Sequence, residues 1–356
     1  MMPHVVHVAS GREWRGGQRQ VWLLARALAK RDDVTQVVVT GHDSELARRL
    51  TADKIPTATP RWNSAVDVRA LLATLRATDR STILHAHDSH ALTFCWLVSL
   101  VTGASLVATR RVDFPLRRAG LWRRADRVIA ISEAVRRILV AGGVAAERIA
   151  LVYDGVALDD LARTTPHDPR AALGLPPGTP LAITTGALVW HKDHPTLVRA
   201  ARIASAVRPD LHWAIAGEGH LRGHLQALIA ELGLEDRVHL LGEVPDAVRL
   251  VAAADLFVMS SAMEGLGTAV LDAMALGVPV VATRAGGIPE MLGGGAGRLV
   301  APQDPAALAA AVLDLLADSV AGAAQAARAR EAVRRYSDER MADGVVQVYR
   351  SLTSAH

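Results

Sequence analysis

Glu264 and Asp272 stand eight residues apart, and between them lies a glycine-spaced turn, Gly265-Leu266-Gly267-Thr268. Glycines let a backbone come close to a ligand, and Thr268 occupies the position expected of a helix N-cap. The unpaired amides of a helix start carry roughly half a positive charge, which suits a phosphate or diphosphate. Asp272 falls just inside that helix, which is expected to stop at Gly277. A buried strand, Val278-Pro279-Val280-Val281-Ala282, comes next, and Gly286-Gly287 opens a second loop with Pro289 and Glu290 at the next helix start. A different chemistry is suggested by His85-Ala86-His87-Asp88-Ser89-His90, where three histidines and an aspartate within six residues offer metal ligands. The run approaches the H-x-H-x-D-H of binuclear metallohydrolases. Its aspartate is displaced by one position, however, and no second ligand cluster accompanies it. Gly16 and Gly17 form a tight turn opening a helix, but no G-x-G-x-x-G follows, which weakens a dinucleotide reading.

These residues need elements to hold them, and the chain supplies alternating strands and helices. In the first half, strands are read at His4–Ala9, Val37–Thr40, Thr82–Ala86, Ser105–Ala108, Arg127–Ile131 and Ile149–Val152. Helices lie between them, one carrying Val21, Leu24, Ala25 and Leu28 on a single stripe. Residues 153–180, rich in proline, glycine, aspartate and threonine, mark a linker. The pattern then restarts with five strands, Leu181–Thr185, Leu211–Ala216, Val238–Leu241, Leu256–Met259 and Val278–Ala282. Pro305–Val333 reads as helix by propensity, and a last helix is expected over Asp338–Leu352. Repeated strand-helix-strand units predict an α/β fold of two Rossmann-like, doubly wound parallel-sheet domains facing a cleft. The candidate residues sit just after strands, at the edge where ligands of such sheets bind.

The run from Ser260 to Leu292 resembles the signature of the family 4 retaining glycosyltransferases, GT-B enzymes that use nucleotide-sugar donors. Their pattern is E-x7-E, then A-x-G-x-P-V-V-x-T and G-G-x-x-E; here the second acid is Asp272, one methylene shorter. The resemblance covers nearly the whole chain and is strongest over residues 181–300. It implies an N-terminal acceptor-side domain of residues 1–153 plus 338–356 and a donor domain of residues 154–337. It also implies transfer of a sugar from a nucleoside-diphosphate sugar to an acceptor hydroxyl, with His87, Lys192 and Glu264 as catalytic residues. Donor binding would fall to Gly16, Gly17, Gly217, Gly242, Gly265, Leu266, Gly267, Thr268 and Asp272, with Glu264 on sugar hydroxyls and Asp272 on the ribose diol. Asp88, His90, Arg110 and Arg111 would touch the acceptor. The family's G-R-L-x-x-x-K-G departs here to Gly186-Ala187-Leu188-Val189-Trp190-His191-Lys192, so the lysine is kept and the arginine is lost. His191, Arg110, Arg111 or Arg284 would have to replace that cation. No D-x-D motif occurs, and no cofactor or metal is expected. The alternatives are a metal-dependent hydrolase built on the His85 to His90 cluster and a non-catalytic sugar-nucleotide-binding subunit.

At 356 residues, half of them apolar, the chain is long enough for two cores. Its single cysteine, Cys95, excludes an internal disulfide framework, and with no secretion signal at its start the expected location is the cytoplasm. Ala91–Thr109 runs 19 residues without a charge, yet Gly103 splits it into a buried helix and a strand rather than a membrane span. Net charge is +4, and seven arginines fall between Arg110 and Arg127. That run suggests peripheral contact with an anionic membrane on the inner face of the cell, and a lipid-linked or cell-envelope glycan as acceptor. It lacks the aromatics and the module of a nucleic-acid site.

Overall fold

The computed structural model describes residues 2–62, 67–116 and 120–353. The chain forms two compact units, one running to Val156 and resuming at Tyr336, the other Ala157–Arg335. The first unit alternates β1 (His4–Ala9), α1 (Gly16–Ala29), β2 (Thr35–Thr40), α2 (Glu45–Ala52), β3 (Thr57–Ala58), α3 (Val68–Arg76), β4 (Thr82–Ala86), α4 (Ser89–Thr102), β5 (Ser105–Arg110), β6 (Arg127–Ala130), α5 (Glu133–Ala141) and β7 (Ile149–Leu151). Its strands form one parallel sheet in the order β3-β2-β1-β4-β5-β6-β7. Because β1 lies between β2 and β4, the winding reverses there, and a crevice is left beyond the ends of β1 and β4.

The second unit comprises α6 (Leu158–Ala162), β8 (Leu181–Thr185), α7 (His194–Ser205), β9 (His212–Ala216), α8 (Arg222–Glu231), β10 (Val238–Gly242), α9 (Ala247–Val251), β11 (Leu256–Met259), α10 (Thr268–Leu276), β12 (Val280–Thr283), α11 (Ile288–Leu292), β13 (Arg298–Val300), α12 (Pro305–Ala317) and α13 (Ser319–Val333). Its parallel sheet runs β10-β9-β8-β11-β12-β13 and reverses between β8 and β11. The core centres on Trp213 with Leu197, Leu225, Val258 and Val312. The expected linker is largely part of this unit. Arg170 is buried and donates to Thr179 O (2.6 Å), Ala253 O (2.9 Å) and the Asp255 carboxylate (2.6 Å), fastening residues 168–179 to the sheet.

α14 (Asp338–Thr353) returns to the first unit and buries Val345, Val346, Tyr349 and Leu352. The chain leaves and re-enters that unit at one place. Val156 N donates to Tyr336 O (2.9 Å), Asp338 N donates to Val156 O (3.1 Å), and Tyr336 packs edge-on against Tyr153.

The sequence reading differs from the structure at several points. β3 and β13 were not anticipated, so the second sheet has six strands instead of five restarted ones. The strand expected from Val278 begins at Val280, since Pro279 has no amide to donate. The alanine-rich stretch is two helices bent by 103° at Asp318, which caps the second by accepting from Ala321 N. Among the described residues no single helix is long and apolar enough to cross a membrane. The uncharged run is α4, closed by Gly103 in the left-handed conformation, followed by β5.

Candidate functional site

In the second unit the reversal point brings together the loops that follow β8 and β11, and the Lys192 Nζ pairs there with Glu264 Oε2. Both side chains are largely buried, and Ser261 Oγ lies 3.4 Å from the same carboxylate oxygen. Backbone and hydroxyl contacts lace the two loops together. Ser260 Oγ donates to Lys192 O (3.0 Å), while Ala262 N and Met263 N both donate to His191 O (2.9 and 3.2 Å). Thr283 Oγ1 at the end of β12 donates to Ser261 O (2.6 Å), and Gly287 N donates to Glu264 O (3.3 Å). The acid and the lysine are thus fixed by three neighbouring strand ends.

Gly267, not Thr268, is the N-cap of α10, and Thr268 is its first helical residue. The reason is steric: Gly267 has φ of +93°, a conformation a threonine would strain to adopt, and no side chain caps the helix. The first amides of α10 are therefore not engaged by a capping side chain. Leu266 is buried beneath the turn and anchors it, and Asp272 is buried along α10. Gly217 and Gly242 meet at the ends of β9 and β10, where Gly217 N donates to Gly242 O (2.7 Å). A Cβ on Gly217 would come 1.9 Å from Gly186 O, so the turn after β9 packs directly on the loop that carries Lys192.

His194, buried at the start of α7, bonds Ala187 O through Nε2 (3.2 Å), and burial pushes its pKa down to about 4. It is neutral near pH 7 and does not replace the missing arginine. Arg284 is exposed just past β12, and His191 flanks Lys192. The other two cations considered for that role are engaged inside the first unit. Arg110 is buried, lies over the Trp122 ring and donates to Phe114 O (2.5 Å), while Arg111 Nε donates to Asp154 Oδ1 (3.1 Å).

The reversal point of the first unit holds a histidine cluster that the sequence did not assemble. His7 on β1 is register-paired with His85 on β4, and its Nδ1 lies 2.9 Å from His87 Nε2. His85 bonds Tyr349 OH (2.6 Å) through Nδ1 and Thr109 Oγ1 (2.7 Å) through Nε2. Arg111 Nη1 lies 3.3 Å from His87 Nδ1. A guanidinium only donates, so His87 Nδ1 must accept, and the His87 proton must sit on Nε2. It follows that His87 donates to His7 Nδ1, leaving the His7 proton on Nε2, which is buried without a partner. Burial, reinforced by Arg111, depresses the His7 pKa to about 3 and holds His85 and His87 well below the usual imidazole range.

This geometry disfavours the hydrolase alternative. Of the expected run only His85 and His87 approach one another, joined by His7 from β1, while His90 is exposed and Asp88 is turned to other partners. Five of the six ring nitrogens already have partners, and a cation placed among them would face the Arg111 charge. Asp88 has a different occupation: it caps α4 by accepting from Ala91 N (2.8 Å) and receives Ser10 N (2.7 Å) and Ser10 Oγ (2.5 Å). Gly16 begins α1 with no side-chain cap, and the space over Gly17 is open. Of the basic run, Arg123 and Arg124 are exposed, whereas Arg117 and Arg118 lie outside the described residues.

Residues 14–160 match the family model described as Glycosyltransferase Family 4, and residues 168–336 match that described as Glycosyl transferases group 1. A D-inositol 3-phosphate glycosyltransferase of Corynebacterium urealyticum is 36% identical over 221 residues, 58% of this chain and 51% of that protein. The lipopolysaccharide core biosynthesis glycosyltransferase LpsE of Rhizobium meliloti is 34% identical over 185 residues, 51% of this chain and 53% of that protein. The chain spans about half the length of these curated relatives. Among solved structures, Anabaena HepE in complex with UDP-glucose superposes with a TM-score of 0.85 at 23% identity, covering 99% of each chain. Residues 14–160 and 168–336 thus match two glycosyltransferase family models one after the other, and the two units have the GT-B fold.

Proposed function

We propose that the protein transfers a sugar from a nucleoside-diphosphate sugar to an acceptor hydroxyl, with retention of anomeric configuration and without a metal. The observation that carries this reading is the Lys192–Glu264 pair at the β8/β11 reversal point, beside the uncapped start of α10. Leaving-group departure puts negative charge on a diphosphate, and an ammonium plus helix-start amides stabilise it without reorganising. Once the diphosphate takes Lys192, Glu264 is released to accept from sugar hydroxyls, and Asp272 is assigned to the ribose diol. His87, fixed in its Nε2-H form, presents Nδ1 as an acceptor, and its role is to receive a sugar hydroxyl in place of the long Arg111 contact. Retention then proceeds at the front face, where the leaving phosphate oxygen helps to deprotonate the acceptor.

The acceptor is assigned to the lipid-linked or cell-envelope glycans. Supporting this are the lipopolysaccharide core named for the Rhizobium meliloti relative and the exposed Arg123 and Arg124. The site of action is the cytoplasm, at the inner face of the cell membrane.

The test is turnover with a panel of nucleotide sugars, chosen by the melting-temperature rise each produces. Lys192→Ala and Glu264→Gln should each lower kcat about 100- to 1,000-fold, as losing one stabilising group in such a site does, while circular dichroism stays unchanged. Chelator should leave the rate as it was. Near-normal turnover in both variants would overturn the assignment.

A further inference from the structure

α4 is apolar on two sides. Its inner face, Ala91, Leu92, Phe94, Cys95 and Val98, covers the first sheet. A helix on a sheet ordinarily gives water a charged face. Here Ser89–Thr102 contains no Asp, Glu, Lys or Arg, and the outer stripe reads Thr93, Trp96, Leu97, Leu100, Val101 at helical spacing. Leu100 is 65% and Val101 76% exposed, Leu97 is exposed as well, and the Trp96 ring is half-buried. Beside it, α3 packs against α4 and leaves Val68 and Leu72 exposed. An apolar patch of this kind marks a docking surface.

The charges around the stripe identify what docks. Arg69 and Arg76 are exposed on α3, and Arg80 lies beside Gly103, the glycine that closes α4. Arg123 and Arg124 are exposed on the 3-10 turn Gly120–Arg124, which packs on α4. The acids of these segments are held by backbone amides: Asp67 accepts from Arg69 N (2.9 Å), Asp79 from Ser81 N (2.8 Å) and Asp126 from Leu106 N (2.8 Å). An apolar centre, a tryptophan at its margin and a guanidinium rim are complementary to a bilayer with anionic headgroups.

We propose that the outer face of α4, with α3 beside it, seats the first unit on an anionic bilayer, with Leu97, Leu100 and Val101 entering the acyl boundary and the five arginines meeting lipid phosphates. The proposal deepens the membrane association given under Proposed function and rests on that reading for its biological sense. It relocates the contact, however, from the 110–127 arginines alone to an apolar helix face.

The test is flotation of the full chain with vesicles of pure phosphatidylcholine and with vesicles containing phosphatidylglycerol. Wild type should float with the anionic vesicles and keep a measurable part of that binding in 0.5 M salt (~4 Å screening length), because the apolar contribution is not screened. Leu100→Glu/Val101→Glu, at positions too exposed to disturb the core, should lower the partition coefficient about tenfold or more while the melting temperature stays unchanged. Binding that salt abolishes and the double variant leaves intact would mean simple adsorption by arginines and overturn the proposal. So would a concentration-dependent dimer in sedimentation velocity that the double variant dissolves, which would make the face a self-association surface. Nucleotide-sugar stabilisation is read on the same samples. Its absence from wild type defeats the transferase reading without touching the vesicle result, and its persistence in the double variant shows that the donor site is intact.

Discussion

His87 can be assigned a protonation state because Arg111, its neighbour at Nδ1, has no lone pair to offer. The same logic makes the cluster acid-sensitive. His7, His85, His87 and His194 are neutral when folded and have pKa values far below 6.5, whereas in the unfolded chain they titrate near their ordinary value. Below about pH 6.5 the unfolded state binds more protons than the folded one, so stability falls as pH falls, by up to ~1.4 kcal/mol per pH unit for each fully titrating histidine. Asp154 and Asp338 are raised by burial and act with the opposite sign, but only nearer the carboxylate range. Urea midpoints at pH 7.5, 6.5 and 5.5 should therefore fall modestly over the first step and about three times as far over the second, and a flat second step would refute the buried neutral cluster. A His7→Phe variant separates the roles further. Nitrogen-15 shifts should show the Nε2-H form of His87 in wild type and again in the variant, because Arg111 still faces Nδ1. Neither His7 nor Tyr349 was legible in the sequence as a partner of this site. A histidine in an apolar strand signals nothing until β1 pairs with β4, and Tyr349 reaches His85 from 264 residues away.

Among the elements, the strands that read clearly were β-branched runs bounded by turn residues, and β1, β4, β8 and β11 were legible from end to end. β3 was not, because Thr57-Ala58 is two residues long between Pro56 and Pro60. β13 was missed because three residues beginning with Arg298 carry no alternation, and only β12 beside it makes them a strand. The turns were located by their glycines, but the geometry that makes glycine obligatory is tertiary. Gly217 is the clearest case: at φ +155°, an alanine methyl would meet Gly186 O at 1.9 Å. Gly217→Ala should cost about 1–3 kcal/mol through backbone strain and should push the Lys192 loop outward. The expected readout is a lower melting temperature together with weaker nucleotide-sugar binding, and an unchanged value for both would contradict the close packing of those two turns.

On the scale of the whole chain, the second unit is an insertion with its own core, entered after Val156 and left before Tyr336. Residues 157–335 produced alone should melt cooperatively and retain the nucleotide-sugar stabilisation of the full chain, as scanning calorimetry would show. Loss of a cooperative transition would mean that the unit depends on its surroundings. The first unit lacks such independence, because its two chain segments are joined only when α14 buries Val345, Val346, Tyr349 and Leu352. Gly155 shows how closely they are joined: a methyl there would lie 2.7 Å from the Asp338 Cα. This arrangement sets a timetable for biosynthesis. The strands that leave the ribosome first cannot close their hydrophobic interior until the last helix has been translated, and the whole inserted unit is made in the interval. At about 5–20 residues per second that wait is on the order of ten seconds or more. The nascent N-terminal half is thus a natural client for chaperones, and a translation arrest just after Arg335 should yield a protease-resistant second half attached to a protease-sensitive first one.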